Sequence, residues 1–159
     1  MNLNLKNKNA IVCASSQGLG KAAAIDLAKE GVNLAICSRD QEKIDKAKEE
    51  ILQKTDHNIK VIALKADLDS IEDIQIFLQE VEQSLGEVDI LVNNTGGPPP
   101  STFEQISDED WQNAFNSTMM SAIRLSRALV PNMKKKRMGP HYQYLLSISK
   151  NSCKWIISI

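Results

Sequence analysis

The apolar residues of this chain change their spacing repeatedly, and that change limits the fold more than any single motif does. Short, nearly continuous apolar runs at about Ala10–Ala14, Asn33–Cys37, Val61–Leu64 and Ile90–Val92 alternate with stretches whose apolar residues recur at helical spacing. Runs of the first kind suit strands covered on both faces, and the stripes between them suit helices laid across those faces. The pattern predicts βαβ units on a parallel sheet.

The helical stretches carry their own punctuation. The first runs from about Leu19 to Glu30 and is closed by Gly31, where a glycine readily takes the left-handed backbone of a helix end. The second, from about Gln41 to Lys54, places Ile44, Ala47 and Ile51 on one stripe. Ser70 caps the third, whose Ile71, Ile74, Leu78, Val81 and Leu85 share a face. Asp108 opens a long fourth helix with Trp111, Phe115, Thr118, Ala122, Leu125 and Leu129 on one stripe. Between the fourth strand and that helix, Asn93-Asn94-Thr95-Gly96-Gly97-Pro98-Pro99-Pro100 reads as a loop throughout. The expected class is α/β, a doubly wound parallel sheet that is incomplete, with about four to five strands. Ligands on such sheets sit beyond the carboxyl ends of the strands, at the switch point beside the first strand.

Composition excludes more than it selects. With 159 residues the chain makes one domain, and a net charge of −1 with 25% charged residues gives no pull toward nucleic acid or an anionic membrane. The basic run Lys134-Lys135-Lys136-Arg137 reads as a solvated helix end rather than a phosphate patch. Cys13, Cys37 and Cys153 lack metal-ligand spacing and read as small core residues of a reducing compartment, with a disulfide or zinc as the weaker alternative. No metal is expected. Met1 to Asn9 holds no apolar leader and no stretch spans a bilayer, so the expectation is a cytoplasmic protein.

The chemistry concentrates in the turn after the first strand, Cys13-Ala14-Ser15-Ser16-Gln17-Gly18-Leu19-Gly20-Lys21. Gly18 and Gly20 let the backbone approach a pyrophosphate, the following helix offers its first amides, and Ser15 and Ser16 add hydroxyl donors. Two glycines alone serve equally well in a tight strand-to-helix turn, and spacing does not choose between the two readings.

The stretch resembles the Thr-Gly-x-x-x-Gly-x-Gly turn of short-chain dehydrogenases/reductases, with Cys13 for the threonine and Ala14 for the first glycine. The resemblance implies a Rossmann-type fold and a nicotinamide dinucleotide held by Ala14, Ser15, Ser16, Gln17, Gly18, Leu19 and Gly20. It continues in order along the chain. Ser38-Arg39 falls where the family reads the adenosine ribose; an arginine in place of an acidic residue favours NADP(H) over NAD(H), and a solvated strand-end arginine is the plain alternative. Asp67-Leu68 resembles the adenine-contacting pair, with a loop residue heading a helix as the alternative for Asp67. Asn93-Asn94-Thr95-Gly96 is similar to the Asn-Asn-Ala-Gly element, which makes Asn94 a cofactor contact. Trp111 to Asn116 resembles the start of the long interface helix, which makes Asn116 a member of the catalytic tetrad and the Asp108–Arg137 helix a surface for pairing like copies. The pattern is that of a divergent branch near the 3-oxoacyl-carrier-protein reductases, acting on a small carbonyl or alcohol substrate.

The family's other catalytic residues are a serine and a Tyr-x-x-x-Lys pair, in which the lysine lowers the tyrosine's pKa. Neither Tyr142 nor Tyr144 has a lysine at the required spacing, and Ser147 and Lys150 stand nearby without forming the motif. Back-translation suggests a cause. Read one base later, the codons of Met138 to Leu145 force a tryptophan and permit Gly-Arg-Ile-Ile-Asn-Ile, the fifth strand that the resemblance leads one to expect. The reading is therefore a dinucleotide-binding half over residues 1–137 and an out-of-frame tail over 138–159, with part of that tail, Tyr142 to Ile148, standing in for the fifth strand. Two functions follow: an oxidoreductase by family, or a non-catalytic nucleotide-binding fragment.

Overall fold

The computed structural model describes residues 3–97, 101–135, 144–148 and 156–158. Expectations that fall on Pro98 to Pro100, on Lys136 and Arg137, or on Met138 to Gln143 lie outside them, as do those on Lys150 and Cys153.

Four strands, β1 (Asn9–Val12), β2 (Asn33–Ser38), β3 (Val61–Lys65) and β4 (Ile90–Asn94), alternate with α1 (Gly18–Lys29), α2 (Gln41–Gln53) and α3 (Ile71–Leu85). After β4 come a short 3-10 turn (Phe103–Gln105), α4 (Asp108–Phe115), a π turn (Asn116–Met120) and α5 (Ser121–Lys135). Two further strands follow, β5 (Tyr144–Ile148) and β6 (Ile156–Ser158). The sheet order is β3-β2-β1-β4-β5-β6, with every pairing parallel except the antiparallel β5–β6 edge. The sheet thus carries one strand more than the four to five expected, and β5 pairs with β4 as a fifth parallel strand.

Alternation along the strands divides the core in two. Ala10, Val12, Leu34 and Ile36 face Ala24 and Ala28 of α1 and Ile44, Ala47 and Ile51 of α2. Ile11, Cys13, Ala35, Cys37 and Leu91 face Ile74, Phe77 and Val81 of α3 and Leu125 and Met133 of α5. The period of two along each strand therefore delivers one helical layer to each side.

The helix starts are chemically distinct. Asp40, Ser70 and Ser107 each accept a hydrogen bond from a first-turn amide of α2, α3 and α4, and Ser107 forms a reciprocal box with Asp110. Those bonds hold the Asp40 carboxyl, through the Lys43 amide, and the Asp110 carboxyl, through Ser107, below the usual carboxylate range. The N-cap of α1 is Gln17, whose side chain makes no capping bond.

Three local expectations are corrected. Asn93 and Asn94 belong to β4 rather than to the following loop, because the ladder with β5 continues through both. Ile71 is 57% exposed, and Phe77, 2% exposed, takes the buried place on α3. Trp111 and Phe115 are each 50% exposed while Leu125 is fully buried, so the expected single stripe does not exist. The π turn accounts for the break. It admits one extra residue into the helix, which turns about 100° per residue. Phe115 and Leu125, about 80° apart on a regular helix, come to lie about 180° apart, on opposite sides. Trp111 instead packs edge-on against Phe103, with ring centroids 6.2 Å apart. No helix among the described residues is long and apolar enough to cross a membrane.

Candidate functional site

The carboxyl ends of β1, β2 and β4 meet around the turn between β1 and α1. Ala14 has a φ of +45° and Gly18 a φ of +62°. For a residue bearing a Cβ the first of these is strained, by about 1–2 kcal/mol. Replacing Ala14 by glycine is therefore expected to stabilise the chain by about 1 kcal/mol in urea unfolding. An unchanged or lower midpoint would place the strain elsewhere.

Gly20 is needed for a different reason. A Cβ there would lie 2.6 Å from the Ala14 carbonyl oxygen, 2.6 Å from Asn94 Nδ2 and 3.0 Å from the Cys13 carbonyl oxygen. That closeness exists because Asn94 Nδ2 donates to both carbonyls, at 3.2 Å for Cys13 and 3.0 Å for Ala14. Asn94 is thus the latch that fastens β4 to the turn, and Gly20 is the space it needs. Ser15 is fully buried; its hydroxyl, expected to face a ligand, donates instead to the Val12 carbonyl at 2.8 Å. Its amide donates to the Cys37 carbonyl at 3.1 Å, so the residue shapes the turn from within. Ser16 is half-buried, and Gln17, Gly18 and Leu19 are exposed on the outer lip.

Arg39 is exposed at the end of β2 and makes no hydrogen bond or ion pair with any described residue. Across from it lies a short acidic loop. Asp67 accepts from the Asp69 amide at 3.1 Å, while its own amide donates to Asp73 at 2.9 Å. Leu68 packs onto the core beneath. Burial, and then the charge of Asp67, raise the Asp69 carboxyl above its ordinary range, against the pull of Arg39 and Arg124. Arg124 reaches over from α5 to donate to the Asp69 carbonyl at 3.1 Å. Sequence reading missed this tether, since nothing in the spacing links position 124 to position 69.

Asn116 stands apart from the turn's hydrogen bonds: it begins the π turn, and its side-chain oxygen accepts from Gln112 on the same helix at 3.4 Å. Asn93, 5% exposed, has neither side-chain nitrogen nor oxygen satisfied. No cluster of three or more His, Cys, Asp or Glu residues suited to a metal ion occurs among the described residues.

The strand order and the glycine turn at the switch point together define a doubly wound, Rossmann-type α/β architecture. Residues 8–140 match the short chain dehydrogenase family, and the chain belongs to it. The uncharacterized oxidoreductase YvaG of Bacillus subtilis is 39% identical over 140 residues, covering 87% of this chain and 51% of its own length. The crystal structure of L-sorbose reductase from Gluconobacter frateurii, complexed with NADPH and L-sorbose, is similar with a TM-score of 0.78. It is 32% identical, over 86% of this chain and 51% of that one. A 7 alpha-hydroxysteroid dehydrogenase complexed with NADH and 7-oxo glycochenodeoxycholic acid has a TM-score of 0.81 and 28% identity, over 93% of this chain and 55% of that one. The chain spans about half the length of the curated relatives it matches.

Proposed function

We propose that this chain is the NADP(H)-binding half of a short-chain oxidoreductase that acts on a small carbonyl or alcohol substrate. The observation that carries the reading is an exposed arginine without a hydrogen bond or ion pair among the described residues, at the end of the strand next to an uncapped helix start. The first-turn amides of α1 have no capping side chain, and no acidic residue sits in that turn. Such a terminus favours an anion, here the pyrophosphate. Gly18 and Gly20 keep the approach clear of side chains, and Ser16, Gln17 and Leu19 form its rim. Arg39, at the end of the adjacent strand, suits the 2′-phosphate that separates NADP(H) from NAD(H). Asp67 and Leu68 would border the adenine, and Ala14, Ser15 and Asn94 hold the floor of the turn.

Bound there, the dinucleotide supplies or accepts a hydride at a substrate carbon. What this chain contributes is binding and orientation. The sequence holds no Tyr-x-x-x-Lys, so Asn116 is the one tetrad member it offers, as orienter of a proton-relay water. The second reading, a non-catalytic cofactor binder, is therefore favoured for residues 1–159 taken alone, with 1–137 as the binding unit and 138–159 as an out-of-frame tail. Pairing of two copies through the long helix and a cytoplasmic setting belong to the same proposal.

The test is titration of the chain with NADPH and NADH, followed by nicotinamide fluorescence. Arg39→Ala is expected to weaken NADPH about tenfold or more, the loss of one charge-assisted phosphate contact, and to leave NADH unchanged. Equal weakening of both would overturn the phosphate role. Steady consumption of NADPH with any carbonyl compound would overturn the non-catalytic reading.

A further inference from the structure

Two cysteines stand side by side at the root of both cofactor-reading segments. The register pairs Val12 with Ile36, and the next step along each chain brings Cys13 beside Cys37 on the same face of the sheet. Both are buried, each 1% exposed, and each thiol is the largest influence on the other's ionisation. Cys13 immediately precedes the strained Ala14 of the turn, and Cys37 is followed by Ser38 and Arg39. No other described cysteine exists, and neither thiol takes part in the binding described above.

We propose that Cys13 and Cys37 are a redox-sensitive pair whose disulfide loosens the cofactor turn. Neighbouring strands run about 4.8 Å apart, inside the roughly 4.4–6.8 Å window of Cα separations that a disulfide spans. Their Cβ atoms must close to about 3.8 Å, so the backbone at one end has to move. Cys37 is held within β2 by its pairing with Leu64, whereas Cys13 lies one residue past the last ladder position of β1 and is held to β4 by a single bond from its amide to the Val92 carbonyl at 3.1 Å. Cys13 is the end that gives. Its carbonyl, and that of Ala14, are the acceptors of the Asn94 latch, so its movement strikes the contact that shapes the turn.

The chemistry needs a small two-electron oxidant, since burial excludes bulky ones; hydrogen peroxide is of that class. Cys37 is the attacking sulfur, because the neighbouring Cys13 thiol lowers its pKa, while Cys37 and burial raise that of Cys13. The Cys37 thiolate takes one peroxide oxygen to become a sulfenic acid and releases hydroxide. The Cys13 sulfur then bonds to the Cys37 sulfur and expels the oxygen as water, its own proton going to that water. A dithiol reductant reverses the bond by exchange.

The effect on affinity rests on the NADP(H) reading; formation of the bond does not. The experiment uses the full chain with Cys153→Ser, treated with hydrogen peroxide and then dithiothreitol. Intact mass, peptide mapping and NADPH affinity are followed at each stage. The expected result is loss of two hydrogen atoms, a linked Cys13–Cys37 peptide pair and an affinity about tenfold weaker, a change of about 1.4 kcal/mol. All three return on reduction. The Cys13→Ser, Cys153→Ser variant should keep its affinity through the same treatment. Oxygen adducts without a linked pair would overturn the proposal, and so would a linked pair with unchanged affinity. Failure of the reduced chain to bind NADPH would instead overturn the cofactor reading and, with it, the switch; the linked peptide would still decide whether the bond forms.

Discussion

Gly20→Ala is expected to lower the stability of the chain by about 1–5 kcal/mol and to abolish nucleotide binding. A methyl group at Gly20 would stand 2.6 Å from the Ala14 carbonyl oxygen, and backbone does not retreat as a flexible side chain does. Forcing it in costs about 1–3 kcal/mol in displaced backbone. Pushing Asn94 aside then strips a donor from two carbonyls, a further loss of about 1–3 kcal/mol for groups left unpaired in the interior. Alanine's better helix propensity, about 1 kcal/mol, offsets only part of this. The measurement is the urea midpoint at unchanged slope. Gly18→Ala is the comparison, because Gly18 has no atom within 4 Å of an added Cβ and only its φ of +62° resists the change. A Gly20 variant as mild as the Gly18 variant would disprove the packing account.

Asn93→Leu is expected to act in the opposite direction, raising stability by about 2 kcal/mol. Asn93 lies one step beyond Val92 on β4, on the same face as the buried Leu91, and both polar atoms of its side chain are orphaned. A buried amide without partners keeps the full cost of leaving water. Leucine has the same branching pattern and carries no such cost, so burial of its methyl groups adds to the gain. The check is thermal and urea unfolding of the variant beside the parent chain. A destabilised variant would show that the amide has a partner in solution.

The sequence reading succeeded where a residue's own chemistry decides its place. The alternation of runs and stripes is local, and β1 to β4 with α1 to α3 came out close to their expected bounds. Ser70 was legible as a cap because a serine before a helical stripe has one obvious use. The need for small residues at Gly18 and Gly20 was legible too, but not its two different causes: Gly18 answers to φ, whereas Gly20 answers to Asn94. That second cause is a contact between segments far apart in the chain. Ser15 shows the same boundary, since a hydroxyl can face a ligand or its own strand, and only the assembled turn sends it to Val12. Cys37 was assignable to a strand, and Cys13, expected inside the first strand, falls one residue past its end; strand order is what makes the two neighbours. Ile71 and Phe77 were misjudged for a simpler reason: at the first turn of α3 the helix has barely reached the sheet, so its leading apolar residue has nothing to cover it.

The π turn at Asn116–Met120 makes the number of residues in the long helix as informative as their identity. Removing a single residue from that segment would let the helix wind regularly and still leave Phe115 nine residues, about 180° of helix, from Leu125. A regular helix of unchanged length would instead swing the two large aromatics by about 100°, toward the side that carries Leu125. In this helix, the extra residue of the π turn is one that a deletion can take out while the flanking surface keeps its aspect.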